Sequence, residues 1–518
     1  MTQGISHKII RNTFFNAIGR FWGILTALVL TPYTIKHIGI ERYGVWSIVG
    51  IFTSYFSLLD FGMKTAFVKY ISEFHSKKEY AKLNQVVGTG FFFYAAFTAV
   101  TVGAAFFLTR PLLSFFHISP ALYEEARFVL LMGTALFGAT CAMSAVGAVQ
   151  AGLQRMEISN LLAIAVSVPT IAGTVFFLEN GYGLRGLMWN SAIVLGLNSA
   201  ASLAIAHKLL PGFRLSPLLF TGSMFKRLFN YGYKLQVSSL ANVVSFQTDR
   251  ILIAYFLGVG MVAFYQLGIG VLQAVRQVSL LLVSSITPAA AEMDATDRRE
   301  ALRRLYLRGS KYLIFLSVPL TVFAAANAAV ILAAWMGPGY GKSVLVVQVL
   351  AAGYFAATVT GVASTIAAGV GRTDLDMKFG FLLTALNVGL GIFMIVKLGF
   401  LGIVAAISLS LFAASVYYVK LFHGYLGTPV GDFARLFLKP LAAVSLPGAA
   451  MLAANHYFWL EKASSGRLFN LGVLAAHGLF FTGFYGAYIA VCGYFDDYDL
   501  ELFRTRLAWP GRGAFKIS

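Results

Sequence analysis

Acidic residues and cysteines are in short supply in this chain of 518 residues, which holds 21 Asp and Glu and two Cys. Only 12% of its residues are charged. A soluble protein of this size needs a largely polar exterior, so that class is excluded. Cys141 and Cys492 lie far apart in apolar segments, which rules out a disulfide framework and a paired-thiolate metal site. The eight His form no H-E-x-x-H or similar ligand pattern, so neither a metal nor a cofactor is expected. Low-complexity tracts are missing, and no polar stretch is long enough for a separate soluble domain. "GPGYGKS" (337–343) is one residue short of a phosphate loop and follows an apolar helix, not a strand. Nucleotide binding is therefore set aside.

What the chain has instead is apolar length. It is 58% hydrophobic, with a mean hydropathy of +0.75. Runs of about 18 to 25 apolar residues recur throughout, each able to cross ~30 Å of hydrocarbon as a helix. They are continuous and not alternating, which favours helices over a barrel. The sequence predicts an all-α integral membrane protein with about fourteen transmembrane helices, the first over 12–35 and the last over 470–494. Lys8 and Arg11 precede the first run as in a signal peptide, but the run is too long and lacks a cleavage site.

The net charge of +19 fits basic cytoplasmic loops better than nucleic acid. With both termini cytoplasmic, inner segments hold roughly threefold more Lys and Arg than outer loops. "DRREALRRLYLRG" (297–309) is a basic inner connector, open to two readings: anionic headgroup binding or topology setting alone. The polar tail from Asp496 to Ser518 reads as lying on the membrane surface or as an unattached end.

The chain also repeats itself. "IGIERYGVWS" (38–47) aligns with "LGVGMVAFYQ" (257–266), "AGLQRM" (151–156) with "AGVGRT" (368–373), and "GLRG" (183–186) with "GFLG" (399–402). Order and separation are nearly constant, so two parallel six-helix repeats are expected, with a substrate path between them. The expected limits are an N-lobe over 1–220, a C-lobe over 221–425, two further helices over 426–495 and a tail over 496–518.

Four bases fall within spans: Arg20, Lys234, Arg250 and Arg276. Asp60 and Asp249 are the clear acids there. All six lie on spans 1, 2, 7 and 8, which are equivalent pairs in the repeat. Lys234, Ser238, Asn242, Ser245 and Asp249 recur at helical spacing as one polar stripe, and Gln266, Gly270, Gln273 and Gln277 run beside Arg276. A charge at mid-membrane costs ~2.5–3.5 kcal/mol, so these groups should face protein or a wet cavity. Internal ion pairs and snorkelling explain Asp60, Arg250 and Lys234 as readily as function does. The excess of base over acid suits an anionic substrate such as a pyrophosphate, and Ser, Asn and Gln suit sugar hydroxyls or serve as helix–helix contacts. The expected substrate-binding residues are Arg20, Arg276, Lys234, Arg250, Asn242 and Gln273, and the ion-coupling candidates are Asp60 and Asp249. No catalytic residue is expected.

"LLDFGMKTAFVKYISEF" (58–74) and "TDRILIAYFLGVGMVAFYQLG" (248–268) resemble the end of span 2 and the span 7–8 junction of Wzx-type polysaccharide flippases. These are lipid-linked oligosaccharide flippases of the multidrug/oligosaccharidyl-lipid/polysaccharide exporter superfamily. The resemblance implies two lobes around a central cavity bordered by spans 1, 2, 7 and 8. It implies translocation of an undecaprenyl-pyrophosphate-linked oligosaccharide, an O-antigen or exopolysaccharide repeat unit, across the bacterial inner membrane. H⁺ or Na⁺ are then candidate coupling ions, and polysaccharide polymerase and chain-length proteins candidate partners. The lipid II flippase branch of the superfamily would carry a longer, arginine-marked region around spans 1 and 2 than this sequence has. Two further alternatives stay open. A drug antiporter of the same superfamily would favour acids in its cavity, whereas this one leans basic. A membrane polymerase or glycosyltransferase would need a larger external loop than any found here.

Overall fold

The computed structural model describes residues 2–56, 62–210, 212–283, 286–296, 298–459, 466–499 and 501. Within helices, the side chains of residues 2–21, 24, 51–56, 234–246, 288 and 458–459 lie outside that description. Among the described residues the chain is helical throughout, with no strand. The helices are α1 (Thr2–Phe56), α2 (Met63–Ser76), α3 (Tyr80–Phe115), α4 (Tyr123–Gly152), α5 (Met156–Glu179), α6 (Gly183–Leu209), α7 (Gly222–Leu257) and α8 (Val259–Leu280). They continue as α9 (Ile286–Ala295), α10 (Arg299–Ala326), α11 (Ala328–Trp335), α12 (Gly341–Val359), α13 (Gly361–Gly369), α14 (Thr373–Leu426), α15 (Val430–Ala454) and α16 (Arg467–Val491). Ten helical stretches among these residues are long and apolar enough to cross a membrane. The chain is a multi-pass membrane protein, and the tally of fourteen crossings stays a sequence expectation. The backbone is not helical at Gly39 or Gly399, so α1 and α14 are each two helices meeting at a kink, where spans 1 and 2 and spans 11 and 12 divide.

Backbone geometry carries the duplication. Gly39 has φ 81° and ψ 166°, and its partner in the alignment, Gly258, has φ 85° and ψ 163°. Gln154 and Gly371 both turn left-handed, with φ 56° and 77°, as do Gly183 and Gly399, with φ 53° and 58°. The hydrogen bonds agree as well. Arg155 N–H donates to the Gln150 carbonyl at 2.9 Å, and Arg372 N–H to the Ala367 carbonyl at 2.8 Å. Each arginine then turns its Nε to an acid two residues on, Glu157 at 2.6 Å and Asp374 at 2.7 Å. Local sequence identity is slight, yet the chain turns the same way at matching places. Such turns need positive φ, which few side chains tolerate.

Two compact units form: residues 1–267 with 376–410, and residues 268–375 with 411–518. They group residues by proximity, whereas the lobe limits at 220 and 425 follow the repeat and remain an expectation. In the first unit, Met63, Phe67, Ile71 and Phe74 make one buried stripe of α2. The stripe packs with Leu83, Val87 and Tyr94 of α3, Val146 and Val149 of α4, and Leu228 of α7. Backbone meets backbone at two further places. A Cβ on Gly62 would lie 2.3 Å from the Gly232 carbonyl oxygen, and one on Gly44 would lie 2.2 Å from that of Val259.

In the second unit α10 packs against α12 and α15, and α15 against α16. The residues after α16 fold back onto α10. Asp499 is fully buried and accepts hydrogen bonds from Lys311 Nζ and Tyr312 Oη. Asp499 N–H donates to Asp496 Oδ1 at 2.9 Å, and Asp496 N–H to Asp499 Oδ2 at 3.1 Å, a reciprocal cap that starts a helix. Burial alone would push the Asp499 carboxyl up, but the bonds from Lys311 and Tyr312 outweigh it and hold it below the usual carboxylate range. Folding therefore favours the ionised form. Its contribution is complete above the ordinary carboxyl pKa near ~4 and is lost as pH falls through the lower folded value. In an acid titration the thermal midpoint should drop below about pH 4 in the wild type. Asp499→Asn should start lower, by about 1.5–3 kcal/mol, and lack that acid-side drop. An unchanged midpoint at neutral pH would refute the clamp.

Candidate functional site

The polar residues of α5 and α6 form a stripe that the sequence reading passed over. Thr170 and Thr174 sit one turn apart on α5, and Asn190, Ser191 and Asn198 follow on α6. Asn190 is 5% exposed. Its Nδ2 donates to the Thr170 carbonyl at 2.9 Å and to Thr174 Oγ1 at 3.1 Å. Together with Thr31, Thr34, Tyr43 and Trp46 of α1, these residues line a cavity of about 620 Å³ in the first unit. Among the described residues no charged side chain lines it. That volume is in the ~300–1,000 Å³ range of small-molecule sites. The rest of the wall is apolar, formed by Leu30, Ala163, Val166, Leu187, Val194 and Leu195. The hydroxyls and amides set among these residues, beside two aromatic faces, suit a neutral group with both hydroxyls and apolar ring faces.

Tyr43 in this wall bonds with Thr31, and the charge of Arg250 acts on it through space. Arg250 Nη1 donates to Gln247 Oε1 at 2.9 Å, while its Nε is buried with no hydrogen-bond partner among the described residues. Arg250 as a whole is half-buried, so the rest of its guanidinium can take an anion by a charge-assisted bond. Its neighbour Asp249 is engaged elsewhere. Asp249 is 4% exposed, and Tyr265 of α8 donates its hydroxyl to Oδ2. Oδ1 has no partner among the described residues. Successive residues on a helix point about 100° apart, so one turn can send the two charges to different surroundings.

The first unit thus brings together Asp249, Arg250 and the polar cavity. Arg276 and Gln273 belong to the second unit, both half-buried on α8, and Arg276 lies beside Tyr354 of α12. The side chains of Arg20, Lys234 and Asn242, and Asp60 altogether, lie outside the described residues. The i, i+4 repeat of Thr170 and Thr174 was the signal available in the sequence for the missed wall. Tyr265 was present in the alignment as the counterpart of Trp46, without a role attached.

A family model described as "Polysaccharide biosynthesis protein" matches residues 9–294. A Shigella flexneri protein assigned as an O-antigen transporter is 22% identical over 410 residues, covering 78% of this chain and 94% of its own. The Bacillus subtilis membrane protein EpsK, itself uncharacterized, is 22% identical over 348 residues, 64% of this chain and 66% of its own. Among solved structures, the lipid II flippase MurJ in an inward closed conformation superposes with a TM-score of 0.63 at 15% identity. It covers 91% of this chain and 99% of the flippase. An inward-facing multidrug transporter of the MATE family gives a TM-score of 0.63 at 13% identity, over 79% and 94%. These two likenesses show the fold.

Proposed function

Because the chain belongs to the polysaccharide biosynthesis protein family, we propose that it is a flippase for an undecaprenyl-pyrophosphate-linked oligosaccharide. The observation that carries this reading is the cavity whose largely apolar wall carries Thr, Ser and Asn groups and two aromatic rings, with the charge of Arg250 acting on Tyr43 in that wall. A lipid-linked oligosaccharide has two polar parts, a polyhydroxylated glycan and a pyrophosphate, and the two surfaces match them in kind. Trp46, Tyr43, Thr170, Thr174 and Asn190 receive sugar hydroxyls and ring faces. Arg250 holds a pyrophosphate oxygen, with Arg20, Arg276 and Lys234 as further cations along the path and Asn242 and Gln273 as hydrogen-bonding groups. The prenyl tail stays in lipid. The repeats work by alternating access, which needs no nucleotide site.

Transport and not catalysis is the reading, in the bacterial inner membrane with both termini cytoplasmic. Asp249, with one free carboxylate oxygen beside the Tyr265 bond, is the better placed of the two acids to carry a coupling H⁺ or Na⁺. Polysaccharide polymerase and chain-length proteins are the expected partners downstream.

Reconstituted vesicles test the reading. Lipid-linked oligosaccharide in the inner leaflet should become accessible to an added lectin at a rate set by the protein. The same vesicles should not export a cationic dye. Folded protein that leaves the glycan inaccessible, or that moves the dye instead, refutes the proposal.

A further inference from the structure

The basic connector "DRREALRRLYLRG" has a groove beside it. In the second unit, α9, α10 and the residues after α16 enclose about 730 Å³. Arg304 and Arg308 stand one turn apart on one face of α10 and both line the groove. The Arg308 guanidinium lies 3.8 Å from the centre of the Tyr498 ring. The other walls are apolar: Leu282, Ile286, Leu305, Phe315 and Leu316. Leu282 is half exposed, so this wall opens outward.

The neighbouring charges of α10 are already committed. Arg303 bonds Asp432 at 3.1 Å, and Lys311 is held by Asp499. Among the described residues Arg304 and Arg308 form no salt bridge, although Glu300 lies one turn before Arg304. Asp499, beside the groove residue Tyr312, is neutralised by Lys311 and bonded by Tyr312. The groove therefore combines two uncommitted guanidinium groups with a greasy channel, at the basic end of a membrane-spanning helix. Arginine forks bind phosphate with two parallel bonds, and basic pockets between membrane helices take anionic headgroups.

We propose that this groove binds one anionic glycerophospholipid, its phosphate on Arg304 and Arg308 and an acyl chain along Leu282, Ile286 and Phe315. Asp499 acts as a positioning residue, since its bonds to α10 fix the segment that presents Tyr498. The site is independent of the transported substrate.

Native mass spectrometry of the full chain in detergent tests it, with phosphatidylglycerol, phosphatidylcholine and inorganic phosphate as probes. Phosphatidylglycerol should remain bound at a stoichiometry of one, phosphatidylcholine at least tenfold less, and millimolar phosphate should not displace the lipid. Arg304→Gln/Arg308→Gln should lower phosphatidylglycerol occupancy at least tenfold at an unchanged thermal midpoint. Arg298→Gln/Arg299→Gln removes equal charge from the same helix end outside the groove and should leave it unchanged. Should the R304Q/R308Q protein misfold, Tyr498→Ala serves in its place, with a several-fold loss expected. Equal binding of phosphatidylcholine, displacement by phosphate, full occupancy in R304Q/R308Q, or equal loss in the control pair would each overturn the site.

Discussion

Arg250→Ala should slow oligosaccharide translocation by about 10- to 100-fold while the protein level and thermal midpoint hold. The magnitude follows from the charge-assisted bond that is lost, worth about 1.5–3 kcal/mol, at ~1.4 kcal/mol per decade of rate. Asp249 takes its hydrogen bond from Tyr265 and Arg250 gives one to Gln247, so the attraction between the two neighbouring charges is through space and not a shared hydrogen bond. Removing the guanidinium therefore leaves Asp249 with its partner, and folding should survive. Arg250→Lys keeps the charge and loses the fork, so an intermediate rate is expected. Initial rates in vesicles, beside melting in detergent, separate the cases. Full-speed transport by R250A would remove Arg250 from the path. A fall in rate and midpoint together would make it a structural residue.

Gly62→Ala should be among the most destabilising glycine-to-alanine changes in the first unit. Two penalties coincide there. Gly62 is left-handed, with φ 67° and ψ 13°, which costs an L-residue about 1–2 kcal/mol. The new Cβ would also fall 2.3 Å from the Gly232 carbonyl oxygen, a backbone atom that cannot rotate away. Together about 4 kcal/mol or more is expected, in the upper tail for single substitutions. Gly103 in α3 is the control. Nothing lies within 4 Å of a Cβ there, so Gly103→Ala should be neutral or should stabilise by up to about 1 kcal/mol. Monodisperse yield and melting midpoint measure both, and equal midpoints would show that the close approach at Gly62 does not exist.

Long apolar runs made the helices legible, because a bilayer leaves the backbone few other choices. The duplication was legible at the few positions where a turn demands positive φ, such as Gly39 with Gly258 and Gly183 with Gly399. Continuity was legible only in places. Nothing local says that the expected span over 261–289 falls across two helices, α8 and α9, whereas the break between the spans over 378–396 and 400–419 lies at Gly399 as expected. The cavity wall escaped because Thr and Asn on a membrane helix read equally well as helix contacts. Thr170 and Thr174 even bond their own helix, with hydroxyls donating to Val166 and Thr170 carbonyls at 2.8 and 2.7 Å. Asp249 and Arg250 could be flagged as costly, but which way each faces depends on Tyr265 and Gln247, a tertiary matter. Asp499 sat in what read as a polar tail, and its burial depends on a lysine far back along the chain.

That distance has a temporal meaning. Lys311 precedes Asp499 by 188 residues. At about 5–20 residues per second, a ribosome needs on the order of 10–40 s to make the stretch between them. For that interval the ammonium of a nascent α10 has been synthesised and its carboxylate has not. The packing of α10 on α12 and α15 needs no residue that late in the chain, so the helix can dock first and Lys311 exchange water for Asp499 last.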